Sequence, residues 1–205
     1  GSSGTYDSYG SAFQISDHRM DMEGQKEIRC SMDTLYHCLT HFSSISEEAV
    51  EVLQQAGYSL EQIEEQLAKP GSKFSSSFGM SPMQVLDRLG VRCPEVLKNL
   101  PEPDPDGRIR LSFAMDQTIG TDGVVDVRTL SEDELSAMRT ESRNGCLIRK
   151  VRISRKVPTC ECQMVLAEGD DCLHVITLYP GVKAPPPPRN GEPDPFWDNH
   201  CFIEY

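Results

Sequence analysis

An α+β fold is predicted by three features of the 205-residue sequence: capped segments with 3.6-residue apolar spacing before residue 100, a proline-rich break at 101–107, and alternating apolar residues beyond it. The expected architecture is a small N-terminal helical bundle followed by an antiparallel β-sheet domain with one short helix. Residues 1–25 open with Gly1-Ser2-Ser3-Gly4 and continue without period, so they are read as disordered or tag-derived and outside the fold. The helical domain is placed over 26–100, the linker over 101–107, and the sheet domain over 108–205, with a proline-rich loop at 184–195.

The helices follow from their caps. Asp33 is the expected N-cap of a first helix over 34–42, in which Leu35, Cys38, Leu39 and Phe42 fall at helical spacing. Ser46 opens a second, with Glu47 and Glu48 favourably placed at its positive end and Gly57 stopping it. Ser59 opens a third, with Leu60, Ile63 and Leu67 facing inward until Pro70-Gly71. Ser81-Pro82 is a cap followed by proline at the first helical position, and 94–100 adds one more turn.

Pro101, Pro103 and Pro105 forbid helix and remove strand donors, which marks the boundary. Beyond it, strands are predicted over 108–115, 123–128, 145–153, 159–167 and 172–179, with a helix opening at Ser131 and reaching about Thr140. Pro185 to Pro188 is expected as exposed polyproline II, leading to a last segment, 196–203, that holds the only Trp and closes the core.

At 38% hydrophobic residues the chain can bury a core without covalent staples. No apolar run of about 18 residues and no charged-then-apolar leader occurs, so neither a membrane span nor a signal peptide is expected, and no membrane partner is expected. Eight scattered cysteines in a chain this long favour a reducing, cytoplasmic setting over a disulfide framework. Net charge is −12, which argues against general adhesion to nucleic acid. Against that background, 139–156 carries seven basic residues and one acid, Glu141. It is either a strand face balanced by acids elsewhere or a local anion-binding patch.

Cys160, Cys162, Cys172 and His174 form a C-x-C…C-x-H string of zinc-ligand types. With the turn at 168–171, Ala167 would pair with Cys172 and Val165 with His174. Alternation then puts Cys172 and His174 on one face and Cys160, Cys162, Thr177 and Tyr179 on the other. Ligands divided between faces cannot close a tetrahedron, so no metal is expected, although a register shift of one residue would revive it, and no other cofactor is expected. His37 and His41 are four apart on one helix, but no third ligand lies near them in sequence. Walker, Gly-x-Ser-x-Gly and His-Glu-x-x-His signatures are absent.

The strand His174-Val175-Ile176-Thr177-Leu178-Tyr179-Pro180, preceded by a helix and a basic strand, resembles the closing hairpin of the BECR ribonuclease toxins, the barnase, EndoU, colicin and RelE-like group. The resemblance spans about Arg139 to Pro180. It implies a metal-independent endoribonuclease in which a ribose 2′-hydroxyl attacks the adjacent phosphate of an RNA substrate. His174 would serve as acid or base, Arg149 and Arg143 would hold the phosphate, and Thr177 and Tyr179 would match the motif's hydroxyls. The acidic front half departs from the usual basic character of such toxins and suits a protein partner or inhibitor. The rival reading is a non-enzymatic adaptor or effector that binds proteins through the helical bundle and the proline-rich segment.

Overall fold

A computed structural model describes residues 12–14 and 27–204, apart from 92 and 191. Most of the segment read as lying outside the fold is therefore beyond the described residues. Its residues 12–14 nevertheless form strand β1 (Ala12–Gln14), antiparallel to β2 (Glu27–Ser31).

The chain is α+β, but its front half is not a helical bundle. Strand β2 enters the sheet before any helix forms and lies parallel to β11 (Cys172–Pro180), with Leu173 opposite Ile28. The helices are α1 (Met32–Cys38), continued by a 3-10 turn over Leu39–His41, α2 (Glu47–Gln55), α3 (Leu60–Ala68), α4 (Pro82–Leu89) and α5 (Pro94–Lys98). Between α3 and α4, β3 (Lys73–Phe74) leaves the helices altogether to pair with β5 (Gly120–Thr121). One apolar core unites Leu35, Leu39, Phe42, Leu53, Ile63 and Leu86 with Ile109, Met164, Leu166, Val175 and Leu178. A bundle was expected because each helix has one apolar stripe. Those stripes are satisfied by the sheet as well as by each other, a choice that periodicity does not specify.

Local signals set the helix starts. Ser46, Ser59 and Ser81 accept hydrogen bonds from the backbone N–H groups of Ala49, Gln62 and Gln84, and Ser59 and Gln62 complete a capping box. The first helix starts earlier than expected, because Ser31 rather than Asp33 caps it through the Thr34 N–H.

Among the described residues, three sheets replace the single one expected. The largest runs β1-β2-β11-β10-β4, with β4 (Arg108–Ala114) and β10 (Glu161–Glu168) antiparallel. A second runs β6-β12-β8-β7 from β6 (Val124–Asp126), β12 (His200–Glu204), β8 (Cys146–Arg152) and β7 (Arg139–Arg143). A third runs β3-β5-β9, ending in β9 (Pro158–Thr159). The short helix α6 (Glu132–Ser136) ends before the basic strand β7, so the helix expected to reach Thr140 is shorter by one turn. Cys201, Ile203, Val125, Val151 and Leu130 form a separate core on one face of the second sheet. Among the described residues, no helix is long and apolar enough to cross a membrane. All eight cysteines are free.

Candidate functional site

The β10–β11 hairpin is offset from the expected register. Ala167 pairs with His174 and Leu166 with Val175, then a bulge intervenes and Val165 pairs with Thr177, Met164 with Leu178 and Gln163 with Tyr179. Two residues of β11 thus occupy the space of one, and the strand's inside and outside exchange parity. Leu173 and Val175 point into the core before the bulge, and Leu178 and Pro180 after it. Thr177 and Tyr179 consequently share the outer face with His174, where strict alternation had put them opposite. Ile176, the residue at the bulge, is exposed.

That outer face opens on a cleft of about 630 Å³ between the two larger sheets. Thr177 and Tyr179 form one wall. The facing wall comes from the second sheet, where Phe202 pairs with both Val124 and Lys150, so the three share one face. Arg143 reaches the cleft from the end of β7, and His41 and Ser72 close it from the helical half. The sequence-identified Arg143, Thr177 and Tyr179 therefore meet, while His174 and Arg149 do not line this cleft.

His41 lies in the 3-10 turn after α1, its ring 5.8 Å from that of Tyr179. Its Nδ1 is 3.1 Å from both the carbonyl oxygen and Oγ of Ser72. A carbonyl only accepts, so this contact assigns the proton to Nδ1 and leaves the Nε2 lone pair available. Burial lowers the His41 pKa, against a smaller opposing effect of the Ser72 bond, and the ring is predominantly neutral at pH 7. Burial raises the Tyr179 pKa, and nearby Asp122 adds to the effect, so Tyr179 remains an O–H donor. The Asp122 carboxylate accepts from the N–H groups of Val124 (3.1 Å) and Val182 (3.2 Å), tying both walls together. Burial pushes its own pKa up. Gly181 permits this closure: its φ is +126°, and a Cβ there would lie 2.6 Å from Asp122 Oδ1.

The basic stretch is mostly neutralised by its surroundings. Arg139 pairs with Glu204 and Glu141, Lys150 with Glu141 at 3.1 Å, Arg152 with Glu204 and Arg155 with Glu134. Arg149 instead donates to the carbonyl oxygens of Trp197 and His200, a structural role in a different groove. Arg143 is exposed and has no ion pair among the described residues.

His174 occupies the other end of β11. Its Nε2 is 3.2 Å from Cys172 Sγ, and a Cβ on Gly169 would come within 3.0 Å of the same nitrogen. Burial raises the Cys172 pKa, with Arg29 partly opposing it. On the neighbouring strand Glu27 is buried and held by Arg29 Nε at 2.8 Å. Cys162 lies in the core and Cys160 is exposed. Among the described residues, no group of three or more His, Cys, Asp or Glu side chains could hold a metal.

The proline-rich segment is engaged by its own chain. Trp197 Nε1 donates to the Pro185 carbonyl at 2.9 Å and Cys146 Sγ to that of Pro187 at 3.4 Å. Val182 and Ala184, at its start, line the cleft. Sequence reasoning did not place His41 and Asp122 in the site because each enters the cleft from an element remote from β11 in the chain, and it read Lys150 only as part of the basic run. One clue was present for the bulge: the apolar phase shifts from 173 and 175 to 178 across the doublet Val175-Ile176. No family model, no curated protein and no solved structure matches this chain.

Proposed function

We propose that the cleft between the two sheets is a metal-independent endoribonuclease site. The observation that carries this reading is the β11 bulge, which turns Thr177 and Tyr179 toward Arg143 and a neutral histidine, His41. These are the groups that phosphate transesterification requires: a base, a proton donor and cations. His41 Nε2 takes the proton of a ribose 2′-hydroxyl. The 2′-oxygen bonds to phosphorus, the bond from phosphorus to the 5′-oxygen breaks, and Tyr179 gives its phenolic proton to the departing oxygen. The His41 imidazolium and the Tyr179 phenolate return to their starting states by exchange with water. Arg143 and Lys150 stabilise the crowded phosphorane, and Thr177 donates to a non-bridging oxygen. The acid–base role assigned to His174 from sequence passes to His41, because His41 lines the cleft and His174 does not. The likeness of 174–180 to the BECR hairpin supports the same reaction class.

The test is to incubate the protein with single-stranded RNA in EDTA and identify the new termini. Cleavage that persists in chelator, leaves 2′,3′-cyclic phosphates and fails on a substrate with one 2′-deoxyribose at the scissile position is expected. Intact RNA after prolonged incubation would refute the proposal.

A further inference from the structure

The cleft contains an aromatic side chain that neither the fold nor the proposed chemistry uses. Phe202 belongs to neither apolar core, since Cys201 and Ile203, on the opposite face of β12, supply the packing there. It is only partly buried and lines the cleft. One side of the ring is fixed: Trp197 stacks on it with centroids 4.6 Å apart and planes at 28°. Trp197 is itself held by its indole bond to Pro185 and by its backbone N–H on Asp194 Oδ1 at 3.1 Å. Phe202 is thus an ordered ring, so stacking a ligand on it loses little conformational entropy.

Its neighbours indicate the ligand. Phe202 is in direct register with Lys150 on the next strand, roughly 4.8 Å away across the sheet, and Lys150 is paired with Glu141. Arg143, four residues along β7 from the position opposite Lys150, lines the same cleft with no ion pair among the described residues. An aromatic platform beside two cations matches a nucleotide unit, one flat base next to one phosphate. We infer that Phe202 is the base-stacking platform of the cleft, which takes single-stranded RNA through one nucleobase on Phe202 and the adjoining phosphate on Arg143 and Lys150. Paired RNA is excluded because its bases are already stacked and cannot present a free face. This assignment rests on the phosphodiester reading above and adds the recognition element that selects single strands.

The experiment measures binding in EDTA of a short 2′-fluoro single-stranded RNA, which lacks the attacking hydroxyl, beside a probe with the same phosphates and no bases. The wild-type protein is expected to bind the base-bearing probe about 5- to 100-fold more tightly, the range of one stacked base. Phe202→Leu is expected to bind both probes at the abasic level, and Phe202→Trp to retain the preference. Arg143→Gln should weaken both probes alike. Retained preference in Phe202→Leu, or equal wild-type affinity for both probes, overturns the stacking assignment and leaves the phosphodiester reading standing. Failure of the wild-type protein to bind either probe overturns both. Should Phe202→Leu not fold by circular dichroism, loss of the preference in folded Phe202→Trp contradicts the platform.

Discussion

On β11, the Cys172 to Val175 end and the Thr177 to Pro180 end both alternate apolar and polar side chains, yet only the second opens on a cleft. At the first end His174 turns toward Cys172, beside the buried Glu27, whose Oε1 is held by Arg29 while its Oε2 is left without a hydrogen-bond partner among the described residues. At the second end Thr177 and Tyr179 face groups delivered from the 3-10 turn, the β5–β6 connection and the second sheet. The same strand chemistry yields a self-contained cluster in one place and a convergent one in the other. What separates them is a single extra residue, which reverses the parity of everything after it.

Removing that residue should have the largest effect. Deletion of Ile176 forces Thr177 and Tyr179 inward and Leu178 outward, and the expected outcome is loss of the cooperative thermal transition and of RNA cleavage together. Ile176→Ala, which keeps the parity and trims an exposed side chain, should shift stability by less than about 0.5 kcal/mol. A deletion variant that melts like the parent would show that the bulge does not set the register.

Smaller effects sharpen the contrast. Arg143→Gln removes a cleft cation that has no ion pair among the described residues, and the salt dependence of single-stranded RNA binding should fall by about 0.7 in slope. Arg152→Gln, whose partner is Glu204, should leave that slope nearly unchanged. A cleavage rate that ignores Arg143 would disconnect the cleft from phosphate recognition.

The pH dependence should follow His41. Its folded-state pKa lies below the usual 6.5, so the unfolded chain binds more protons between the two values. Stability therefore rises with pH through that window and is lost as pH falls below about 6.5. Cleavage should decline on the same acidic side, because protonated His41 cannot act as base. Tyr179, with its pKa raised, should produce no decline near neutrality. The smallest effect belongs to Glu204, whose carboxyl is held at about 2 by Arg139 and Arg152. Its contribution is present above about 4.5 and fades as pH falls toward 2, and Glu204→Gln should remove that part of the acid sensitivity in denaturant titrations.

Sequence showed most element starts and little of their assembly. Ser46, Ser59, Ser81 and Ser131 announce their helices because capping is a contact within three residues. The parallel pairing of β2 with β11 joins residues about 145 apart, and nothing in Glu27 to Ser31 names that partner. Of the candidate site, Arg143, Thr177 and Tyr179 were legible from one local strand pattern and one basic run. His41 was visible only as half of a His37 and His41 pair, since its neighbours Ser72 and Tyr179 are brought to it by the fold. The choice between His174 and His41 depends on which of them the fold brings to the cleft, and alternation rules do not supply that.

The most direct measurement compares His41→Ala with His174→Ala for single-turnover RNA cleavage in EDTA, with both variants matched to the parent in circular dichroism. Loss of about 10²- to 10⁴-fold in His41→Ala, with His174→Ala within a few-fold of the parent, is the predicted result. The reverse order, or equal activity in both variants, would contradict the assignment of the cleft.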